Sequence, residues 1–400
     1  MLIDHLTFSK TGGAGRVAAT LSEIQSLNGH DSKLLSIIDK NLWQDPLRLP
    51  VTTARAVVDK YILSNRSEPT LFSCARSYGQ SFEVEKLRTE AVLHLHWVDG
   101  VISPNQITTL LRSGKRIVWT LHDMVPFTGG CHYSHDCFGY ESDCSNCPQV
   151  RSAFQPAVSR SHSNKNVFEF SFPNLTLVAT TEWMAEKARQ SKIFSNSSVV
   201  VIPNPVSYEI FSKASAITSD TGVKPKSPNQ LKLVLIANDL ADETKGVEKL
   251  LGAAQAARVL SGSKISLTLI GKNGHRFANN EGIDCRGELT QSQISECLLD
   301  CDALISASVA ESFGLTIVEA AILGIPSIVL GNSGSSELVT HGVTGWVVED
   351  FAELTQLLCT LAQGGSSALE ESGIRAKAVA IGKYSPSRIA EAYQKLYLAN

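Results

Sequence analysis

Two carboxylates and the run between them carry the first sign of chemistry. Glu311 and Glu319 bracket Ser312-Phe313-Gly314-Leu315-Thr316-Ile317-Val318. An apolar strand, Ala303-Leu304-Ile305, leads in, and Ala320-Ala321-Ile322-Leu323 follows. Gly324 and Pro326 stop the helix, as Gly just past an end and Pro shortly beyond usually do. The segment predicts strand, loop and helix, with Phe313-Gly314-Leu315 at the helix N-terminus. Free N–H groups and the positive dipole end there suit a diphosphate or another anion. One carboxylate falls in the loop and the other about two turns along, on the order of 12 Å away at ~1.5 Å per residue. They are too far apart to share a proton. They could grip two ends of a long polar ligand, such as a sugar and a ribose. A surface helix with two ordinary glutamates fits the same spacing, so the flanking segments must decide.

Lys245-Gly246 follows the predicted strand Leu231 to Ala237 and precedes a helix. An ammonium there can neutralise a diphosphate leaving group, although a lone lysine is most often solvated surface. Gly12-Gly13-Ala14-Gly15 lies between the first strand and the first helix. Glycines there let backbone approach a ligand, or simply make a tight turn. The pattern departs from the dinucleotide fingerprint, and no acidic residue is well placed about twenty positions on, which discounts NAD. Thr120-Leu121-His122-Asp123 ends an apolar strand, where a doubly wound sheet places its chemistry. A satisfied core histidine fits that position too. His94-Leu95-His96-Trp97 ends another strand, and alternation puts both histidines on one face. Polar cleft lining is the preferred reading there over a zinc site.

Cys131, Cys137, Cys144 and Cys147 cluster in a loop-like stretch, 129–148, with little apolar content. Four thiolates suffice for tetrahedral Zn²⁺ and leave no open position, so a structural metal is expected rather than a catalytic one. Free or oxidised thiols and an Fe–S cluster are the alternatives. The other cysteines, Cys74, Cys285, Cys297, Cys301 and Cys359, are scattered and read as buried thiols. Gly331-Asn332-Ser333-Gly334-Ser335-Ser336-Glu337 allows a close turn over a nucleotide, or an ordinary connection.

Strand-like and helix-like runs alternate from end to end, which argues for parallel sheets covered by helices. The 400 residues suggest two domains. These are 1–206, a Ser/Pro/Thr/Lys-rich linker at 207–230, 231–383, and a final helix at 384–400. Hydrophobic residues make up 43% and charged residues 19%, ordinary for a globular chain, and a net charge of -3 gives no basic field for nucleic acid. No run approaches the ~20 apolar residues of a membrane span, and the start resembles no signal peptide. A cytoplasmic location is expected. A local patch could still make peripheral contact with the inner face of a membrane.

The Glu311–Glu319 block resembles the donor-binding signature of retaining GT-B glycosyltransferases of family 4: Glu, seven residues, Glu, with Phe-Gly inside. The order of segments is similar over nearly the whole chain. The His-Asp strand end leading into a Cys-rich loop resembles a subset from bacterial polysaccharide gene clusters. The resemblance implies two Rossmann-like domains facing a cleft, with the last helix crossing back to the first. It implies transfer of a sugar from a nucleotide-diphosphate sugar to a glycan or lipid-linked glycan. Glu319 would meet the ribose and Glu311 the sugar hydroxyls. Lys245 and the N–H groups of Phe313, Gly314 and Leu315 would hold the diphosphate, with Ser312 and Thr316 beside them. Gly13, Ala14 and His122 would face donor and acceptor, and His94, His96, Trp97 and Asp123 would line the acceptor side. No catalytic divalent metal is expected. One departure stands out: many relatives have Gly-Arg after the strand where this chain has Ala237-Asn238, so either another cation, Lys272 or Arg16, substitutes or diphosphate binding leans harder on the helix N-terminus. An epimerase or phosphorylase on the same fold, or a silent glycan- or partner-binding protein, are the rival readings.

Overall fold

A computed structural model describes residues 1–38, 71–73, 82–216, 230–331, 333–364 and 366–399. Cys74 and Asn332 lie outside them. The chain divides into two compact units. One is Met1–Pro203 together with Ile389–Asn400, and the other is Asn204–Arg388.

The first unit is built on a parallel sheet of β1 (Leu2–Ser9), β2 (Asp31–Ile38), β3 (Val92–Leu95), β4 (Ile117–Leu121), β5 (Leu175–Ala179) and β6 (Ser198–Val201). Their order is β2-β1-β3-β4-β5-β6. The connection from β1 leads to one side and β3 lies on the other, so the strand order reverses between them. That is the switch point where open parallel sheets bind ligands. Helix α1 (Gly12–Leu27) covers the sheet, and α2 (Pro104–Arg112), α3 (Gln155–Ser163) and α4 (Glu182–Gln190) lie between later strands. Ser103 opens α2 with a capping box to Gln106 and a Pro at the first turn.

The sequence placed a turn at residues 11–15. The structure instead winds Gly12–Gly15 into the first turn of α1, behind Thr11. Gly12 keeps a turn-like φ of +79°. Gly15 is fixed by packing, because a Cβ there would stand 2.2 Å from the Ser9 carbonyl oxygen at the end of β1.

The second unit repeats the design with β7 (Gln230–Asp239), β8 (Lys264–Lys272), β9 (Ile283–Gly287), β10 (Ala303–Ser306), β11 (Ser327–Leu330) and β12 (Gly345–Val348). The order β12-β11-β10-β7-β8-β9 is the doubly wound order, and its switch point falls between β7 and β10. Its helices are α5 (Tyr208–Ala216), α6 (Val247–Ser261), α7 (Gln291–Asp300), α8 (Leu315–Ile322), α9 (Phe351–Gly364) and α10 (Ser366–Tyr384). Helix α5 replaces the first part of the linker expected at 207–230, and residues 217–229 of it lie outside the described residues. Ile210 and Ala214, four residues apart, are buried in the core of the second unit, so burial overrides a loop-like composition.

The final helix, α11 (Pro386–Leu398), returns the chain to the first unit. Its Ile389, Tyr393 and Tyr397 pack with Ile3, Leu21, Val118 and Val178, and Arg116 donates to the Leu396 carbonyl at 2.7 Å. Among the described residues, no helix is long and apolar enough to cross a membrane.

Candidate functional site

Each unit brings chemistry to its switch point. In the second unit, Lys245 ends a single 3-10 turn after β7, opened by Asp242, whose carboxylate accepts from the Thr244 N–H at 2.9 Å. Gly246 follows with φ +65°, and a Cβ there would stand 2.2 Å from the Ala307 carbonyl oxygen just past β10. Only a glycine lets the two strand ends come this close. The Val309 N–H donates to the Thr244 carbonyl at 3.0 Å and closes the same seam. The result is a direct pair, Lys245 Nζ to Glu311 Oε2 at 3.1 Å, with both side chains about a quarter exposed. The Glu311 carboxylate raises the Lys245 pKa against the opposing effect of burial.

The run after Glu311 is anchored from below. Phe313 is buried against Tyr384, edge to face at 6.0 Å, and Gly314 takes φ +95° as α8 begins. Ser312 is buried, while Gly314, Leu315 and Thr316 are half-buried at the helix start. Glu319 lies on the buried side of α8 and is 2% exposed. A carboxylate this deep needs polar company. Asn238, where the resemblance led an arginine to be expected, is exposed, and the next residue, Asp239, accepts from Asn273 at 2.8 Å. Lys272 is half-exposed and pairs with Glu288 at 3.5 Å. Arg16 belongs to the other unit.

In the first unit, Gly13 is exposed and Ala14 half-buried on the first turn of α1. No side chain caps that turn and no acidic residue lies in it. His94, His96 and His122 share one sheet face through period-two alternation and parallel register, which sets His94 opposite His5 on β1 and Val118 on β4. The rings sit in a row: His96 Nδ1 is 3.1 Å from His122 Nε2, and His96 Nε2 is 2.9 Å from His5 Nδ1. His94 reaches Tyr397 at 2.7 Å and Thr120 at 2.8 Å. Burial pushes the pKa of His5 and of His122 down to about 4, and those of His94 and His96 well below the ordinary value. All four rings are therefore neutral at pH 7.

Asp123 accepts from Trp97 Nε1 at 2.8 Å and from the Val125 N–H at 3.0 Å, and it pairs with His132 Nδ1 at 2.8 Å. Burial works to raise its pKa, but His132, Trp97 and Val125 together hold it below the ordinary value. Trp97, His96, His122 and Asp123 line a small cavity of about 50 Å³ with Ile102, Ile107, Trp119 and Phe168. Its lining is mostly apolar.

Sequence reasoning missed His5, Gln25, His132, Tyr393 and Tyr397. His5 had a visible signal, since it shares the strand face of the buried Ile3. The others are joined only by tertiary contacts.

Cys131, Cys137, Cys144 and Cys147 line one small cavity. Burial pushes the Cys131 thiol pKa well up and that of Cys144 up to about 12. Among the described residues, the set of three or more potential metal ligands with all ligand atoms within 4.8 Å is His5, His94 and His96. Its six ring nitrogens all have hydrogen-bond partners, so that trio is satisfied without an ion. The four thiols supply the right donors for zinc but would have to draw closer to bind one.

Residues 220–361 match the family model described as Glycosyl transferases group 1. WcaC of Escherichia coli (strain K12), named for colanic acid biosynthesis glycosyl transferase, is 23% identical over 274 residues. That match covers 67% of this chain and 64% of WcaC, a little under two thirds of its length. Anabaena HepE, solved in complex with UDP and glucose, is similar over 99% of both chains at 15% identity, with a TM-score of 0.59. A sucrose-phosphate synthase from Thermosynechococcus elongatus reaches a TM-score of 0.62 at 14% identity, over 99% of this chain and 98% of that one. The architecture is GT-B, two Rossmann-like domains each with its own parallel six-stranded sheet.

Proposed function

We propose that the chain is a retaining glycosyltransferase of hexosyl type. It moves a sugar from a nucleotide-diphosphate sugar to a hydroxyl of a glycan or lipid-linked glycan, in bacterial exopolysaccharide- or lipopolysaccharide-type synthesis. The observation that carries this reading is the Lys245–Glu311 pair at the switch point of the second sheet, in the segments just before α8. Lys245 and the N–H groups of Phe313, Gly314 and Leu315 take the diphosphate, as positioned cations and helix starts do. Glu311 meets the sugar hydroxyls and Glu319 the ribose. The bond from the anomeric carbon to the phosphate oxygen breaks with its electron pair on the diphosphate. The acceptor oxygen bonds to the same face, and its proton passes to the leaving phosphate. In the first unit, the pocket beside His122 and Asp123 takes the acceptor. The four clustered cysteines hold a structural zinc. The site of action is the cytoplasm, with peripheral contact at the inner face of the membrane.

Calorimetric titration of UDP, GDP and ADP tests the donor half. HepE was solved with UDP, which makes UDP the first nucleotide to try. Selective binding, weakened in Glu319→Gln, supports the proposal and names the base. A folded sample that binds none of the three overturns it.

A further inference from the structure

Phe72 and Cys131 pair across a short antiparallel bridge. The Ser73 N–H donates to the Gly130 carbonyl at 2.8 Å, and the His132 N–H donates to the Leu71 carbonyl at 3.1 Å. Successive side chains on such segments point to opposite faces. One face carries Phe72 and Cys131, which line the cavity shared with Cys137, Cys144 and Cys147. The other face carries Ser73 and His132. Gly130, opposite Ser73, has no side chain, so Ser73 Oγ reaches diagonally to His132 Nε2 at 2.8 Å. Two more bonds fix the strand of His132. Thr128 Oγ1 donates to the Cys131 carbonyl at 2.8 Å, and the Met124 N–H donates to the His132 carbonyl at 3.0 Å.

On this second face His132 Nδ1 stands 2.8 Å from Asp123 Oδ2, the oxygen that also accepts from Trp97 Nε1 at 2.8 Å. A carboxylate oxygen only accepts, so Nδ1 is the donor. The third donor, the Val125 N–H, takes the other oxygen at 3.0 Å. The His132 ring stacks on the Trp97 indole, with 6.0 Å between centroids and 26° between planes. His132 thus touches both partners of the Trp97–Asp123 bond.

We infer that the metal site of the cysteine loop and the Asp123 carboxylate are coupled through this two-faced bridge, with His132 as the positioning residue. Whatever holds Cys131 from one face also holds His132 on the other, because the two are neighbours in one strand. A slack bridge lets His132 leave Asp123. A buried carboxylate that loses one of its three donors must turn toward another partner, and the Trp97–Asp123 bond turns with it. The cysteine loop thereby governs the wall of the first-unit cavity that Trp97 and Asp123 line. The inference rests on the zinc reading of the four thiols given above. It goes further than that reading, because a purely local staple leaves Trp97 and Asp123 unmoved.

The test is proton–nitrogen correlation NMR of the tryptophan indoles, with metal analysis of the same samples. Trp97→Phe assigns the Trp97 indole N–H. In the zinc-loaded wild type that signal is expected as a single line. Chelation should shift or broaden it, and zinc added back should restore it. Cys144→Ser should reproduce the chelated signal, although Cys144 lies off the bridge. His132→Ala should displace the signal with zinc content unchanged. His132→Asn, which keeps an N–H near the place of Nδ1, should return it toward the wild-type position. A Trp97 line that stays put while the zinc is shown to leave overturns the inference, and so does an unmoved line in His132→Ala. Movement of every indole line, that of Trp346 in the second unit included, would mean general unfolding and overturn it as well. A chain that takes up no zinc overturns both the inference and the zinc reading, and metal analysis tells these failures apart. If a variant does not fold, chelation and restoration of the wild type still decide.

Discussion

Lys245 and Glu311 meet at 3.1 Å although 66 residues separate them, because the glycine after the lysine packs onto the backbone past β10. The ammonium proposed for a diphosphate is held by the carboxylate proposed for a sugar. Lys245→Gln is expected to weaken UDP binding by about 10- to 100-fold, the scale of one lost charge-assisted contact of ~1.5–3 kcal/mol. Melting should barely move, since partly exposed ion pairs contribute about 0–1 kcal/mol. Calorimetry and a melt on the same samples check both. Equal UDP affinity in the variant and the wild type would remove Lys245 from the site.

Gly246→Ala is expected to cost on the order of 1–3 kcal/mol and to lower UDP affinity along with it, because both φ and the Ala307 carbonyl exclude a Cβ. Gly252 is the control. It is exposed within α6, with nothing within 4 Å of a Cβ, so Gly252→Ala should stabilise by roughly 0.5–1 kcal/mol. Equilibrium urea melts distinguish the two, and similar midpoints would mean that the seam is not tight.

Stability should fall as pH drops from about 6.5 toward 4. His5, His122 and His162 are held down to about 4 by burial, from 6.5 when exposed, so unfolding takes up protons throughout that window. The contribution is complete above pH 6.5. For His5 alone it is on the order of 3 kcal/mol, at ~1.36 kcal/mol per unit. Asp123, held below its ordinary value, adds its own loss only at lower pH. Thermal melts from pH 7.5 to 4.5 measure this, and a flat melting midpoint between pH 7 and 5 would contradict it.

The cysteine cavity makes a separate forecast. Metal analysis of the purified chain is expected to give about one zinc per molecule, and a strong chelator should lower the melting temperature. Cys144→Ser should reduce the zinc content without changing UDP affinity. Folded, active protein with no bound metal would dismiss the zinc. The buried thiols, with Cys144 up to about 12, would then stay protonated and slow toward alkylating reagents.

Much of the donor unit was legible because its chemistry is local in sequence. The strand before Glu311, the helix after it and the Lys-Gly turn each follow from neighbours within a few positions. Other elements were hidden for identifiable reasons. Strand β9, Ile-Asp-Cys-Arg-Gly, alternates apolar and polar residues but over five positions only, and β12 is four residues long, so both are too short to stand out in the sequence. Helix α5 hides in a stretch whose serines and prolines signal a loop, and only the buried Ile210 and Ala214 reveal its helical face. The histidine row was seen in part, at His94, His96 and His122. The Gln25 amide beside it was invisible, because Gln25 reaches Tyr397 across 372 positions and no periodicity reports such a meeting.

That distance has a consequence for how the protein is made. Nearly all of the first unit leaves the ribosome before the second unit, but Tyr393 and Tyr397 leave after it. Until they arrive, the Gln25 amide and His94 face an uncovered groove, and the sheet beneath is finished on only one side. The first unit to be synthesised is therefore among the last to be completed. A nascent chain halted between the two units should hold its histidine face open to water and to chaperones.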